Sequence, residues 1–186
     1  MIKTVLMAVF SAFTLIPMYA VLAAQPSAYS GQEQREIKAL SPDDIQAYLT
    51  GKGAGFAKAA ELNRYPGPSH VLELSDKLQL SAEQKRRTQA IFDAMQQEAI
   101  RQGKVLVERE RELDRKFSAG EITADSLDAA LKKIGESYAG VRGAHLKAHI
   151  EQRAILTPSQ VARYDELRGY TTGGKLSPRD SGSHAH

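Results

Sequence analysis

His145 and His149 stand four positions apart in a stretch of helical apolar period, so one helix face carries both imidazoles. That spacing suits coordination of zinc or copper through two ring nitrogens. The residue after His145 is Leu146, so the glutamate that acts as general base in an HExxH peptidase is missing and hydrolysis is not expected. Coordination is the chemistry left to the pair. His145 also falls on the apolar seam of its helix, where the competing outcome is a neutral ring packed into a core.

Met95 joins the pair as a candidate ligand because the hairpin arithmetic given below sets it opposite His145, and a thioether suits soft or borderline cations. Its other reading is a filler of core gaps. His70 follows Tyr65-Pro66-Gly67-Pro68, and the packing of Val71 and Leu72 would draw it towards the pair as a further ligand or leave it on a first-turn surface. His184-Ala185-His186 ends the chain as a weak copper, nickel or zinc site or as an inert tail. The chain has no cysteine, hence no thiolate ligand and no disulfide. No nucleophile with a sequence-linked base, no P-loop and no carboxylate pair in an apolar setting is found, so an enzyme is not expected. The string Gly51-x-Gly53-x-Gly55 is no dinucleotide loop, because no strand precedes it. No cofactor is therefore required, and zinc or copper is the optional occupant.

Helices must position these residues. Ser81 with Gln84 and Thr157 with Gln160 each make a capping box, in which the hydroxyl accepts from a first-turn N–H and the glutamine reaches back to the cap. From Ser81 to about Phe117 the apolar residues Phe92, Ala99, Leu106 and Leu113 recur every seven, widened by Ile91, Met95 and Phe117. Gly120 marks a turn. Thr123 caps a return helix with a seam of Leu127, Leu131, Ile134, Tyr138, Val141, His145 and Ala148. Facing positions of such a hairpin sum to about 241, because both helices rise equally per residue. Leu106 is thereby set against Ile134, Met95 against His145, and Gly103 near Tyr138, with Gly140 and Gly143 bordering Ala99 for close backbone approach. Shorter helices are expected from Ser41, from Phe56 to Leu62, from a Ser69 cap, and from Thr157.

Lys3 followed by an apolar run to about Ala24 reads as a signal peptide over residues 1–24, with an uncleaved N-terminal anchor as the alternative. Residues 25–40 lack an apolar period and read as a flexible arm, 41–170 as one helical domain, and 171–186 as a disordered tail. The expected location is the periplasm, or the inner membrane facing the periplasm if the anchor stays. The 25 basic residues nearly balance the 22 acidic ones, and runs such as Glu108-Arg109-Glu110-Arg111-Glu112 intersperse the two signs. This pattern describes a solvated helix face and excludes the clustered basic footprint of a nucleic-acid binder.

The two boxes, Leu80-Ser81-Ala82-Glu83-Gln84 and Leu156-Thr157-Pro158-Ser159-Gln160, resemble the twin LTxxQ motifs of the Spy/CpxP family of periplasmic proteins. The segment GKGAGFAKAAELNRYPGPSHVLEL and the stretch HLKAHIEQRAILTPSQ are similar to its branch of periplasmic heavy-metal sensors. The first box departs in carrying Ser81 in place of threonine, which keeps the cap chemistry. The resemblance implies an all-α fold, an elongated antiparallel helical hairpin with short flanking helices that forms a cradle-like homodimer. It implies three functions: an ATP-independent holdase for unfolded or misfolded envelope proteins, a metal sensor or buffer using His145 and His149, or an adaptor of a sensor kinase in the envelope stress response.

Overall fold

The computed structural model describes residues 25–170; residues 1–24, expected as a signal peptide or anchor, and residues 171–186, with His184 and His186, lie outside the described residues. The chain divides into two units. In the first, which ends at Glu33, the described residues make tight turns closed by Ser30 N–H on the Ser27 carbonyl and Gln32 N–H on the Tyr29 carbonyl, each at 2.9 Å. The second begins at Gln34 and is helical throughout its regular structure, with no strand among the described residues. Its elements are α1 (Pro42–Thr50), α2 (Lys58–Glu61), α3 (Pro68–Glu73), α4 (Ala82–Ser118), α5 (Ala124–Ile155) and α6 (Pro158–Arg168). No described helix is long and apolar enough to cross a membrane.

Cap chemistry decides where the helices start. Full capping boxes open α1 at Ser41 with Asp44, α4 at Ser81 with Gln84, α5 at Thr123 with Ser126 and α6 at Thr157 with Gln160. The start of α3 differs from the expected Ser69 cap: Gly67 is the cap and Pro68 takes the first helical position, where its missing N–H costs nothing. Gly51 ends α1 and Gly169 ends α6 in the left-handed region, at φ 67° and 74°. Helix α2 is a single turn, shorter than the period from Phe56 to Leu62 suggests, and it leaves Leu62 exposed.

Helices α4 and α5 pack against each other and run antiparallel. Near the turn, the Arg109 guanidinium donates to the Lys133 carbonyl and to Ser137 Oγ; farther along, Gln152 Nε2 donates to Thr88 Oγ1 at 3.1 Å; at the far end, Gln84 Nε2 donates to the Ile155 carbonyl at 3.1 Å. Leu106 and Val141 form one buried cluster with Phe56, and Ile134 and Tyr48 pack on its edge. A second cluster gathers Val71 and Leu78 with Val161 and Tyr164, and it includes Leu80 and Leu156, the first residue of each box.

Two sequence expectations need correction here. The arm over residues 25–40 is not free along its whole length, because Ile37 and Leu40 are buried against Val107 while Lys38 pairs with Asp114 at 3.1 Å and Glu36 with Arg111 at 2.7 Å. Two apolar side chains three apart suffice to seat a turn, although they make no periodic pattern. Gly103 makes its close backbone approach to α1 and not to α5: a Cβ there would lie 2.1 Å from the Tyr48 carbonyl oxygen. Gly140 does border α4, where its missing Cβ leaves room for the Gln102 side chain, whereas Gly143 has open space.

The apolar seams are covered unevenly. Ala99, Leu106, Val141, His145 and Ala148 are buried, but towards Gly120 the layer is two helices thick and Phe117 and Leu131 remain exposed, while Tyr138 is covered on one side only, by Phe56. A helix pair buries only one stripe of each partner, so any wider stripe stays in water until a third element covers it.

Candidate functional site

The turn Tyr65-Pro66-Gly67-Pro68 presses onto α5 at His149. The ring's Nδ1 donates to the Tyr65 carbonyl at 2.6 Å, with Glu61 Oε2 at 3.7 Å from the same nitrogen. Gly67 lies under the imidazole: a Cβ at that position would be 2.9 Å from Cε1 and 3.0 Å from Nε2, so only glycine lets the turn approach this closely. Donation through Nδ1 fixes the neutral tautomer and leaves the lone pair on Nε2, the arrangement a metal-binding histidine uses.

One helical turn earlier, His145 is 3% exposed and stacks on Phe56, with ring centroids 5.7 Å apart and planes inclined by 12°. Phe56 meets Tyr138 edge-on at 5.5 Å and Tyr48 at 5.9 Å, so an aromatic layer closes over the imidazole. Burial, and then the neighbouring His149, hold the His145 pKa below the usual histidine value. Its Nε2 is buried without a hydrogen-bond partner. A buried polar atom without a partner marks strain or a place for another group.

Met95 on α4 and His70 on α3 complete the expected set, and all four candidates line one cleft of about 630 Å³ between the α1–α3 segment and the two long helices. His70 is engaged within its own helix, Nδ1 lying 3.0 Å from Glu73 Oε2, a contact that lowers the Glu73 pKa. Among the described residues no three His, Cys, Asp or Glu side chains form a group that could hold a metal ion. The cleft thus offers two imidazoles on one face and a thioether among its lining residues.

Glu61 is the residue that sequence reasoning missed. Its Oε1 accepts from the Tyr164 hydroxyl at 2.6 Å and the Tyr170 hydroxyl at 3.1 Å, and Arg168 Nε lies 3.4 Å away. Burial first, and then Glu61, push the Tyr164 hydroxyl pKa well above the usual tyrosine value. Glu61 Oε2, like His145 Nε2, is buried and unpartnered. One carboxylate therefore ties α2 to α6 beside the histidines. A signal did exist, since Glu61 is a lone acid in the apolar run Ala59-Ala60-Glu61-Leu62.

Fold and site together define an all-helical protein with a partly apolar cleft floored by histidines. Comparison of the chain with protein-family models, with curated proteins and with solved structures finds no match.

Proposed function

We propose that the chain is an exported, periplasmic, ATP-independent holdase that shields unfolded envelope proteins. The observation that carries this reading is the apolar surface of the hairpin, where Phe117 and Leu131 on the two-helix end are 55% and 49% exposed and Tyr138, at the edge of the Phe56 layer, is 44% exposed. Leu131 and Tyr138 are seven apart on α5 and so share a face. Exposed apolar groups set among interspersed charges hold an unfolded segment weakly while the charges speed its encounter. The twin capping boxes and the resemblance they carry point the same way, and a second copy of the chain would convert the exposed seam into a shared cradle. No nucleic acid is expected as a partner.

The test is suppression of aggregation of a chemically denatured client, in buffer without nucleotide, by a few-fold excess of the protein exported from cells. Protection that weakens as salt screens the charges supports the reading. Failure with and without zinc removes it.

A second reading, a metal sensor or buffer, is favoured by the unpartnered His145 Nε2 and by the tautomer that Tyr65 imposes on His149. His145 and His149 would hold zinc or copper, with Met95 or solvent completing the set. With Met95 as a ligand, a bound cation would act there as a clamp between α5 and α4.

A further inference from the structure

Helix α5 has a second face, turned away from α4. Ala139 comes two positions before the buried Val141, which is about 200° around a helix, and it is exposed. Gly135, Ala139 and Gly143 step by four along this outer face, and Leu146 and Ile150 continue it, Ile150 being 58% exposed. An added Cβ at Gly135 or Gly143 would meet nothing within 4 Å. Glycine is a poor residue for a helix interior, and no contact in the described chain uses the space that these two leave.

The charges set the same face apart. On α4, Arg86, Arg101, Arg111 and Lys116 each pair with an acid one turn away in the helix. On α5, Asp125, Glu136, Arg142 and Arg153 form no ion pair among the described residues. Their order about Ala139 is symmetric in place and opposite in sign: Glu136 and Arg142 lie three positions either side of it, Asp125 and Arg153 fourteen. Gly135 and Gly143 lie four either side.

A second α5 running antiparallel across the first, with a two-fold axis at Ala139, sets each residue against the one equally far on the other side. Each of these acids then faces a base. Glycine faces glycine where the backbones approach, and the stems of Lys132 and Lys147 fall opposite Leu146 and Leu131. No like charges stand directly opposite. The small residues would admit any close neighbour, but the charge order selects another copy of this chain.

We propose that α5 pairs antiparallel with α5 of a second copy about Ala139, held by Glu136 with Arg142 and Asp125 with Arg153 across the two-fold, and closed at Gly135 and Gly143. This gives a seat to the second copy that the holdase reading invokes. It is tested by mass and not by protection of a client, so failure of one is distinguishable from failure of the other.

Sedimentation equilibrium of the protein exported from cells, in chelator-containing buffer, should show reversible association of monomer to dimer. Glu136→Arg should weaken it about ten-fold, because arginines then oppose each other, and Glu136→Arg with Arg142→Glu should restore it. An alanine at Gly143 stays within the size of the face, so the steric test uses glutamine. Gly135→Gln with Gly143→Gln should weaken association about ten-fold or more while raising the urea midpoint of the monomer, since glutamine is the better helix former. The chain has no cysteine, so a single one reports the register. Ala139→Cys should cross-link to itself on mild oxidation, whereas Ala94→Cys, exposed on α4, should not. A chain monomeric at every concentration would overturn the proposal and leave the face to solvent or to a different protein. A dimer indifferent to Glu136→Arg, or one cross-linked through Ala94→Cys and not through Ala139→Cys, would overturn it by moving the contact to another face. The cysteine variants decide the register even if the glutamine variants fail to fold.

Discussion

Gln84 and Gln160 face each other as a reciprocal amide pair: Gln84 Nε2 donates to Gln160 Oε1 at 2.8 Å, and Gln160 Nε2 donates to Gln84 Oε1 at 3.1 Å. Each oxygen also accepts the backbone N–H of its own cap residue, Ser81 or Thr157, at 3.0 Å. Each nitrogen also donates to a carbonyl beyond its own box, Ile155 at 3.1 Å for Gln84 and Leu78 at 3.3 Å for Gln160. Both copies of the motif are thus one structure. Two helix starts, 76 positions apart in sequence, cap themselves and each other, while Leu80 and Leu156 are buried in one cluster beside them.

The first prediction follows from that sharing. Gln84→Ala and Gln160→Ala should each cost about 1–2 kcal/mol, since each removes half a capping box and strands the partner amide. Because the pair is mutual, the double variant should cost less than the two single costs together, by about 1 kcal/mol. Urea unfolding followed by helical circular dichroism measures all four corners of the cycle. Strict additivity would mean that the two amides act independently.

The glycines separate in a second prediction. At Gly103 a Cβ would press on the Tyr48 backbone, which cannot swing aside as a side chain does, so Gly103→Ala should destabilise by about 1–3 kcal/mol and release α1. At Gly143, in the same kind of helix interior, there is open space, and Gly143→Ala should stabilise by about 1 kcal/mol. Hydrogen exchange at the α1 amides distinguishes displaced packing from a general loss of stability. Equal effects at the two positions would contradict the contact.

What the sequence discloses here is what local chemistry decides. Ser81, Thr123 and Thr157 announce their helices because a cap is settled within four residues. His145 and His149 share a face because helical spacing alone puts them there. The contacts that close the cleft are of another kind. A backbone carbonyl such as that of Tyr65 has no residue type to betray it as the partner of His149. Glu61 meets Tyr164 and Tyr170 across more than a hundred positions, beyond the reach of any periodicity. Gly103 shows the same limit from the other side. Pairing α4 with α5 by register is sound geometry, but it leaves out α1, which takes the groove that the glycine opens.

Acid should loosen the fold before carboxylates titrate. Burial holds the folded-state pKa of His145 below its ordinary value near 6.5, so below about pH 6.5 the unfolded chain binds the proton more readily than the folded one. Stability therefore stays level above this range and falls as pH drops through it towards the folded-state pKa. Glu98, held at about 2 chiefly by its hydrogen bond to Arg101, responds only in stronger acid. The midpoint of urea unfolding should decline between pH 7 and 5 in the natural chain and stay flatter in His145→Phe. A decline of the same size in the variant would assign the proton to another group.

Zinc or copper affinity, if the second functional reading holds, should depend on His145 and His149 together, because two nitrogens of one helix face act as a chelate and neither alone fixes a tetrahedral cation. Removal of either imidazole should lower affinity by about ten-fold or more, and protons should compete with the metal for the ring nitrogens. His149 carries an additional signature. Its Nδ1 is committed to the Tyr65 carbonyl, so metal bound at Nε2 should leave that hydrogen bond intact and protect the Tyr65–Pro68 turn from hydrogen exchange. Calorimetry on a chain ending at Tyr170 separates this site from His184 and His186. Heat that vanishes with the truncation would move the binding to the tail and leave His145 as a core residue under Phe56.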